Sequence, residues 1–595
     1  MLPPNLSRWI LNDETRNILF FAQLIEELLF NYSIDIYKVP VCDAKVLCRE
    51  LLQILGEADV SGFDETDFRP VLEELIQEIQ KDPIVEEVAP ALREDLVVRL
   101  SGISDWNTLT PLLQQLQNFL EMHYIERVGD LLREKITKGD RPAIVRLTKV
   151  FLTELIDIGY SPEHIFFENK SFFFDPQGRS ITSYADLDEF LRRFSSIPKF
   201  WSVVFRTGKD FKYLNKFPVH MNISADTSCP DAATFAEDKN ISIFLDKNFR
   251  LSGYLTFVDI EAFDGFSARQ IAEQKLLSLE KFTRFHVHRT ELEWSRAALV
   301  YDLEKSTSGI YGKPVAAILK RPDHSAGQLS RLLNNTIVTV FSDKLDDDSI
   351  QRLLRSFQRH NTALSATAVE SQLLELWSGI EALFPAPRRK TDDSARIVRN
   401  LVHYATRGYA AKVAADLVKS IRNSEAQDAM KIVETSTPGN NIIEKILLLV
   451  ADESRSGQRE ALRKALGEHA LLIWRLDDLH MQFHSAAAYA ETLRAYAVST
   501  AWQARRIMRA VITLRDSGKE VLSINKLVET LHSYLDRVMD VLLEEIVRKR
   551  DVTTLAGIHQ EVATQFTVHE EILRTRRGER VTADNFRFIF FGDNQ

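Results

Sequence analysis

The sequence predicts a mainly α-helical protein with a small α+β module in its middle. Three observations lead there. Over residues 1–200, apolar side chains recur at the three- and four-residue spacing of a helix face. Between about 200 and 300, short β-branched and aromatic runs are separated by polar segments, the signature of strands. From about 291 to 550 the helical spacing returns. At 595 residues the chain exceeds what a single core supports, so several domains are expected. The composition shifts place their boundaries at 1–200, 201–300, 301–550 and 551–595.

In chain order, Asn12-Asp13-Glu14-Thr15 offers a cap to a helix carrying Ile18, Leu19, Leu24, Ile25 and Leu28 on its apolar face. Further helices are expected around Ala44–Leu55, Arg69–Ile79, Leu109–Ile136 and Pro142–Ile158. Breaks fall at Gly56, Asp82-Pro83 and Gly139-Asp140. The aromatic segment that follows closes on Pro176-Gln177-Gly178 and reads as a short hairpin. Strands are expected at Phe200–Arg206, Val219–Ser224, Ile241–Leu245 and Gly253–Ala262, and Ser267 is placed to cap a helix from Ala268. A helix N-terminus after a strand can hold phosphate, but no glycine-rich loop accompanies this one, so the structural reading is favoured. Asp346 to Ser349 caps a long helix over Ile350–Leu383, and the tail NFRFIFFG reads as a strand.

The charge balance excludes several classes. With 75 basic and 85 acidic residues, the net charge of −10 argues against a globally nucleic-acid-binding surface and leaves room for a local basic patch. Cys42, Cys48 and Cys229 form no CxxC pair, which suits a reducing compartment and disfavours zinc held by thiolates. The opening residues are polar and acidic, unlike a secretory signal. The apolar runs fall well short of the roughly 20 residues a membrane span requires. A cytoplasmic location, no membrane, no cofactor and no metal are the expectations. His286 and His288 would alternate on one strand face, but with no third ligand nearby.

No P-loop, GxSxG elbow or HExxH is present. Arginine and histidine at close spacing can cleave RNA without metal, the imidazole moving a proton and the guanidinium holding the phosphate. Three pairs match Arg-x4-6-His: Arg355–His360, Arg396–His403 and Arg475–His480. With 47 arginines and 14 histidines in the chain, chance supplies roughly one pair per spacing. Packing is therefore the expected role of each, with Arg355–His360 on a solvated helix face.

Several segments together resemble the HEPN superfamily, in particular large bacterial phage-defence proteins with an Apea-like HEPN domain. LLELWSGIEALF (Leu373–Phe384), with Trp377 and Glu381, resembles the first HEPN helix. RNLVHYATRGYAAKVAADLVKSI (Arg399–Ile421) and LLIWRLDDLHMQF (Leu471–Phe483) resemble helices that follow. WQARRIMRA (Trp502–Ala510) and INKLVETLHSYLDRVMDVL (Ile524–Leu542) resemble the two sides of the active-site turn. Upstream, Tyr254–Leu279 resembles the module such proteins carry before the domain. The likeness covers roughly 240–595, and 145–210 more faintly. It implies a C-terminal HEPN-like helical bundle, a homodimer through it or a defence-system partner protein, with RNA as a candidate ligand.

Where the family carries its Arg-Asn pair and its histidine, this chain has Val511-Ile512 and Asp516. Valine cannot hold a phosphate, and a carboxylate near neutral pH is a poor acid that repels RNA. The resemblance thus implies a defence component with a degenerate HEPN domain that binds RNA or protein, or regulates. An active metal-independent ribonuclease, built from Arg399 and His403, is the alternative, and a purely structural subunit is the third. Arg505, Arg506, Arg509, Arg515 and Lys519 remain around the interval. They are either a phosphate-contacting patch, or braces between helices in the case of Arg506 and Arg509, with the others solvated.

Overall fold

The computed structural model describes residues 5–30, 43–57, 65–88, 90–102, 106–208, 211, 222–226, 229, 235, 238–245, 251, 253–286, 288, 292–304, 307–314, 326–341, 344–384, 393–435, 438–516, 521, 523–549 and 551–592. It is mostly helical with one small antiparallel sheet. No described helix is long and apolar enough to cross a membrane. The chain divides into two compact units, one of Met1–Pro4, Arg16–Val150 and Ala316–Gln595, the other of Asn5–Thr15 and Phe151–Val315.

The smaller unit is built on five strands in the order β2-β3-β1-β4-β5. These are β1 (Lys199–Thr207), β2 (Ile223–Asp226), β3 (Gly253–Ala262), β4 (Trp294–Asp302) and β5 (Ser308–Gly312), and every neighbouring pair is antiparallel. The central strand β1 is buried continuously from Trp201 to Thr207, because both faces of the sheet are covered. Trp201, Val203 and Phe205 share one core with Ala268, Ala272, Leu276 and Leu279 of the helix Gly265–His286. Val204, Leu299 and Tyr301 meet Phe235, Ile241 and Phe244 in the other. Two arginines are buried with this sheet and hydrogen-bonded there. Arg206 donates to the Leu251 and Phe244 carbonyls. Arg269 reaches Glu273 at 3.0 Å and donates to the Arg296 carbonyl.

Asp264 joins this unit together. Its carboxylate accepts from the backbone N–H of Phe266 and Ser267 at the start of the helix, and from the N–H and hydroxyl of Ser161 at 2.7 and 2.9 Å. The cap is therefore Asp264, where the sequence suggested Ser267. A protein carboxylate already occupies the positive end of that helix, so the phosphate role weighed for it is replaced by a structural one.

The larger unit is helical in its described residues. Asp347–Ser365 and Val369–Leu383 form a hairpin, and Asp393–Thr406, Ala486–Asp516, Ile524–Arg548 and Leu555–Thr575 pack with them. Ala44–Glu57 and Glu65–Lys81 belong to the same unit. Gly379 marks where the hairpin meets Ile524–Arg548: a Cβ there would lie 3.1 Å from Leu535 Cδ2 and 3.5 Å from the Ser356 hydroxyl. Several charges buried in this unit are paired with opposite charges. Arg475 meets Glu27 at 2.9 Å with both side chains almost fully covered, and Glu545 is clasped by Arg407 and Arg548. Cys48 donates to the Leu113 carbonyl, and burial pushes its thiol up to about 12, so it is an inert core residue.

The predicted helices at Ala44–Leu55, Arg69–Ile79, Leu109–Ile136 and Pro142–Ile158 are present, each slightly longer. Asn12 and Asp346 do cap, accepting from Thr15 and Ser349. Other expectations fail for physical reasons. Ile241–Leu245 lies in the helix Lys239–Leu245, because Asp238 caps it and Ile241 and Phe244, three apart, are its buried pair. The hairpin expected after Gly159 is the helix Pro162–Asn169 running into a π-helical turn, Lys170–Phe174. Phe172 and Phe173 pack there on Phe190, and Phe173 also packs on Trp9. The helix expected over Ile350–Leu383 breaks at extended residues Ala366 and Ala368. Phe586–Phe591 is helical, burying Phe586, Ile589 and Phe590 at helical spacing. His286 ends a helix and His288 sits in a turn, so they share no strand face. Only the end of Val219–Ser224 lies among the described residues, as the start of β2. The sheet unit takes in residues 151–200 and extends to 315, so the boundaries at 200 and 300 do not divide the chain.

Candidate functional site

The interval singled out by the sequence spans the C-terminal half of Ala486–Asp516 and the start of Ile524–Arg548. Helical spacing places Ala504, Ile507 and Val511 on the buried face of the first of these helices. Val511 is thus a core residue, whereas Ile512 beside it is 48% exposed. Asp516 ends the helix, its side chain lying outside the description, and Lys519 lies outside the described residues.

The arginines around the interval are largely committed to carboxylates of the same unit. Arg506 is 6% exposed and bonds Glu50 at 3.0 Å and Glu74 at 2.5 Å, tying the long helix to Ala44–Glu57 and Glu65–Lys81. Arg509 also pairs with Glu50. Arg515 bonds Glu381 at 3.1 Å, and the same carboxylate accepts from the Trp377 indole at 2.7 Å. Trp377 and Glu381 are thereby joined to the arm of the interval. Arg505 is exposed. The basic rim is corrected accordingly: Arg506 and Arg509 are braces, Arg515 is ion-paired, and Arg505 is exposed with no ion pair among the described residues.

The fallback pair is no better placed for catalysis. Arg399 and His403 share a face of Asp393–Thr406, four residues apart. The His403 ring packs against Phe566 at 4.7 Å, its Nδ1 is buried without a hydrogen bond, and burial beside Arg399 holds its pKa below the usual imidazole value. It is a packing histidine. Arg396 reaches the Phe384 carbonyl. In the third pair, Arg475 is spent on Glu27, and His480 contacts the Val450 carbonyl and Glu453.

One constellation was missed. His360 leaves the Asp347–Ser365 helix toward Ile524–Arg548, and only 14% of its side chain is exposed, so the solvated-face placement expected of it is wrong. Its Nε2 lies 3.0 Å from the Nε2 of His532 and 3.3 Å from Asp536 Oδ1. His532 and Asp536, one turn apart on one helix, approach to 3.6 Å through Nδ1 and Oδ2. The ring centroids are 5.0 Å apart while the nitrogens are 3.0 Å apart, so the imidazoles meet nitrogen to nitrogen rather than face to face. A signal existed in the sequence, since His532 and Asp536 stand at helical i,i+4 spacing inside Ile524–Leu542. Nothing in the sequence pointed to His360 as their neighbour.

No family model, curated protein or solved structure matches the chain. The HEPN reading accordingly rests on the sequence pattern.

Proposed function

We propose that the chain is a phage-defence component whose C-terminal helical bundle is of HEPN type, has lost ribonuclease chemistry, and serves to engage protein, as a homodimer or with a partner of the same system. One observation carries the proposal: of the four described arginines at the motif interval, three are neutralised within the fold, Arg506 and Arg509 by Glu50 and Glu74, and Arg515 by Glu381, which leaves Arg505 exposed. A guanidinium buried between two carboxylates cannot turn to a phosphate without stranding those acids. At the position of the catalytic Arg-Asn pair stand a core valine and an exposed isoleucine. An exposed apolar side chain there suits contact with protein better than contact with phosphate.

The test is incubation of the purified protein with total RNA and with tRNA, with chelator present. The expected result is intact RNA. Cleavage that disappears in His403→Ala while surviving in Asp516→Ala overturns the proposal in favour of a ribonuclease built on Arg399 and His403. Cleavage lost in His360→Ala overturns it in favour of acid–base chemistry at the paired imidazoles.

A further inference from the structure

We infer that His360, His532 and Asp536 form a binding site for one first-row divalent metal ion of the zinc class, a site that the sequence alone did not reveal. The inference stands apart from the family reading and rests on three features.

The first is donor chemistry. Two imidazoles and one carboxylate favour zinc, iron, cobalt or nickel over magnesium and calcium, which prefer all-oxygen shells. The second is spacing. Two ligands held about 2.0–2.1 Å from one ion lie roughly 2.9–3.4 Å apart for angles between square and tetrahedral. The Nε2–Nε2 distance of 3.0 Å and the Nε2–Oδ1 distance of 3.3 Å both fall in that range. One ligand atom from each residue lies within 4.8 Å of the other two. The third is the way the rings face. With two nitrogens opposed at 3.0 Å, a single shared proton satisfies both, while protonating both rings would aim two N–H groups at each other. A metal ion accepts both lone pairs and draws the adjacent carboxylate in as its third ligand.

The placement adds to the case. His532 and Asp536 are fixed one turn apart on Ile524–Arg548, and His360 comes from a helix that packs in the same bundle, so filling the site clasps two helices. The side chains are 14%, 9% and 24% exposed for His360, His532 and Asp536, covered enough to be held and open enough on the carboxylate side for an ion and water to enter. Three protein ligands leave at least one coordination position for water, the arrangement of open sites rather than of closed four-ligand structural ones.

Full-length protein stripped with chelator is titrated with Zn2+ by calorimetry and with Co2+ by its visible d–d absorption, and its thermal midpoint is recorded with and without metal. The expected result is one equivalent bound, a Co2+ spectrum, and a rise in midpoint on adding Zn2+. His360→Ala, His360→Gln and Asp536→Asn are each expected to weaken binding at least tenfold and to abolish the rise, with circular dichroism in chelator matching that of the parent protein. His360→Gln and Asp536→Asn keep the size of the side chain and carry the test if His360→Ala fails to fold. Absence of stoichiometric binding, or binding and midpoint shift unchanged in His360→Gln and Asp536→Asn, overturns the inference and leaves the cluster an ordinary N–H···N hydrogen bond between helices.

Discussion

Replacing Arg506 by methionine should loosen the helical unit by about 3 kcal/mol. Arg506 is 6% exposed as a side chain, and its partners Glu50 and Glu74 are 12% and 13% exposed. Methionine keeps the length of the apolar stem, so the loss isolates the charge. Removing one member of a buried ion pair costs about 3–5 kcal/mol, because the other is left uncompensated. Arg509 still contacts Glu50, which confines most of the penalty to Glu74 and favours the lower end. Since about 1.4 kcal/mol is a factor of ten, local opening should become roughly a hundredfold more frequent. Hydrogen exchange followed by mass spectrometry reads this directly in peptides from Ala44–Glu57, Glu65–Lys81 and the middle of Ala486–Asp516. Acceleration of less than about fivefold would refute the reasoning, since it would mean the pair is screened like a surface salt bridge worth at most about 1 kcal/mol.

Asp264→Ala removes a helix cap and the partner of the Ser161 N–H and hydroxyl at once, and should destabilise the sheet unit by about 2–3 kcal/mol, measurable as a lowered urea midpoint. Gly379→Ala places a methyl 3.1 Å from Leu535 and should cost about 1–3 kcal/mol through overpacking, read as a drop in thermal midpoint. His559 donates through Nε2 to the Leu383 carbonyl and accepts the Tyr404 hydroxyl at Nδ1, so the fold holds it neutral, and burial lowers its pKa to about 4. The unfolded imidazole near 6.5 takes a proton first. Stability is therefore intact above pH 6.5 and falls through the window from 6.5 to 4, by about 2 kcal/mol between pH 7 and 5. His559→Phe should flatten that part of the pH profile of thermal unfolding, and an unchanged slope would contradict it.

Most helices were legible because their signals are local. Caps such as Asn12 and Asp346 and a three-to-four-residue apolar repeat do not depend on the rest of the fold. β1 and β3 were legible because both read as β-branched and aromatic. β4 was not, because Ser295, Arg296, Ala297 and Ala298 carry no strand preference and the segment is extended by pairing with β1. Ile241–Leu245 failed in the opposite sense, since the β-favouring Ile241, Ile243 and Phe244 are helical under the Asp238 cap. The candidate sites show the same division. That Val511 and Ile512 cannot hold phosphate is evident from their identity. That Arg506 is an internal brace depends on Glu50 and Glu74, more than four hundred residues away in sequence. The pairing of His360 with His532 spans 172 residues and is likewise tertiary information. The Arg-x4-6-His spacing picks out His360 but pairs it with Arg355, whereas the fold sets it against His532.

On the proposed reading, Arg506, Arg509 and Arg515 of Trp502–Leu542 serve the fold rather than RNA. The most direct test is the salt dependence of single-stranded RNA binding by the parent protein and by the double variant Arg505→Glu/Arg515→Glu, whose sites are exposed enough to accept the change. The expected result is the same weak retention for both between about 50 and 200 mM salt. A parent slope of log affinity against log salt near −2 or steeper, as roughly three phosphate contacts to a single strand would give, that flattens in the variant would contradict it.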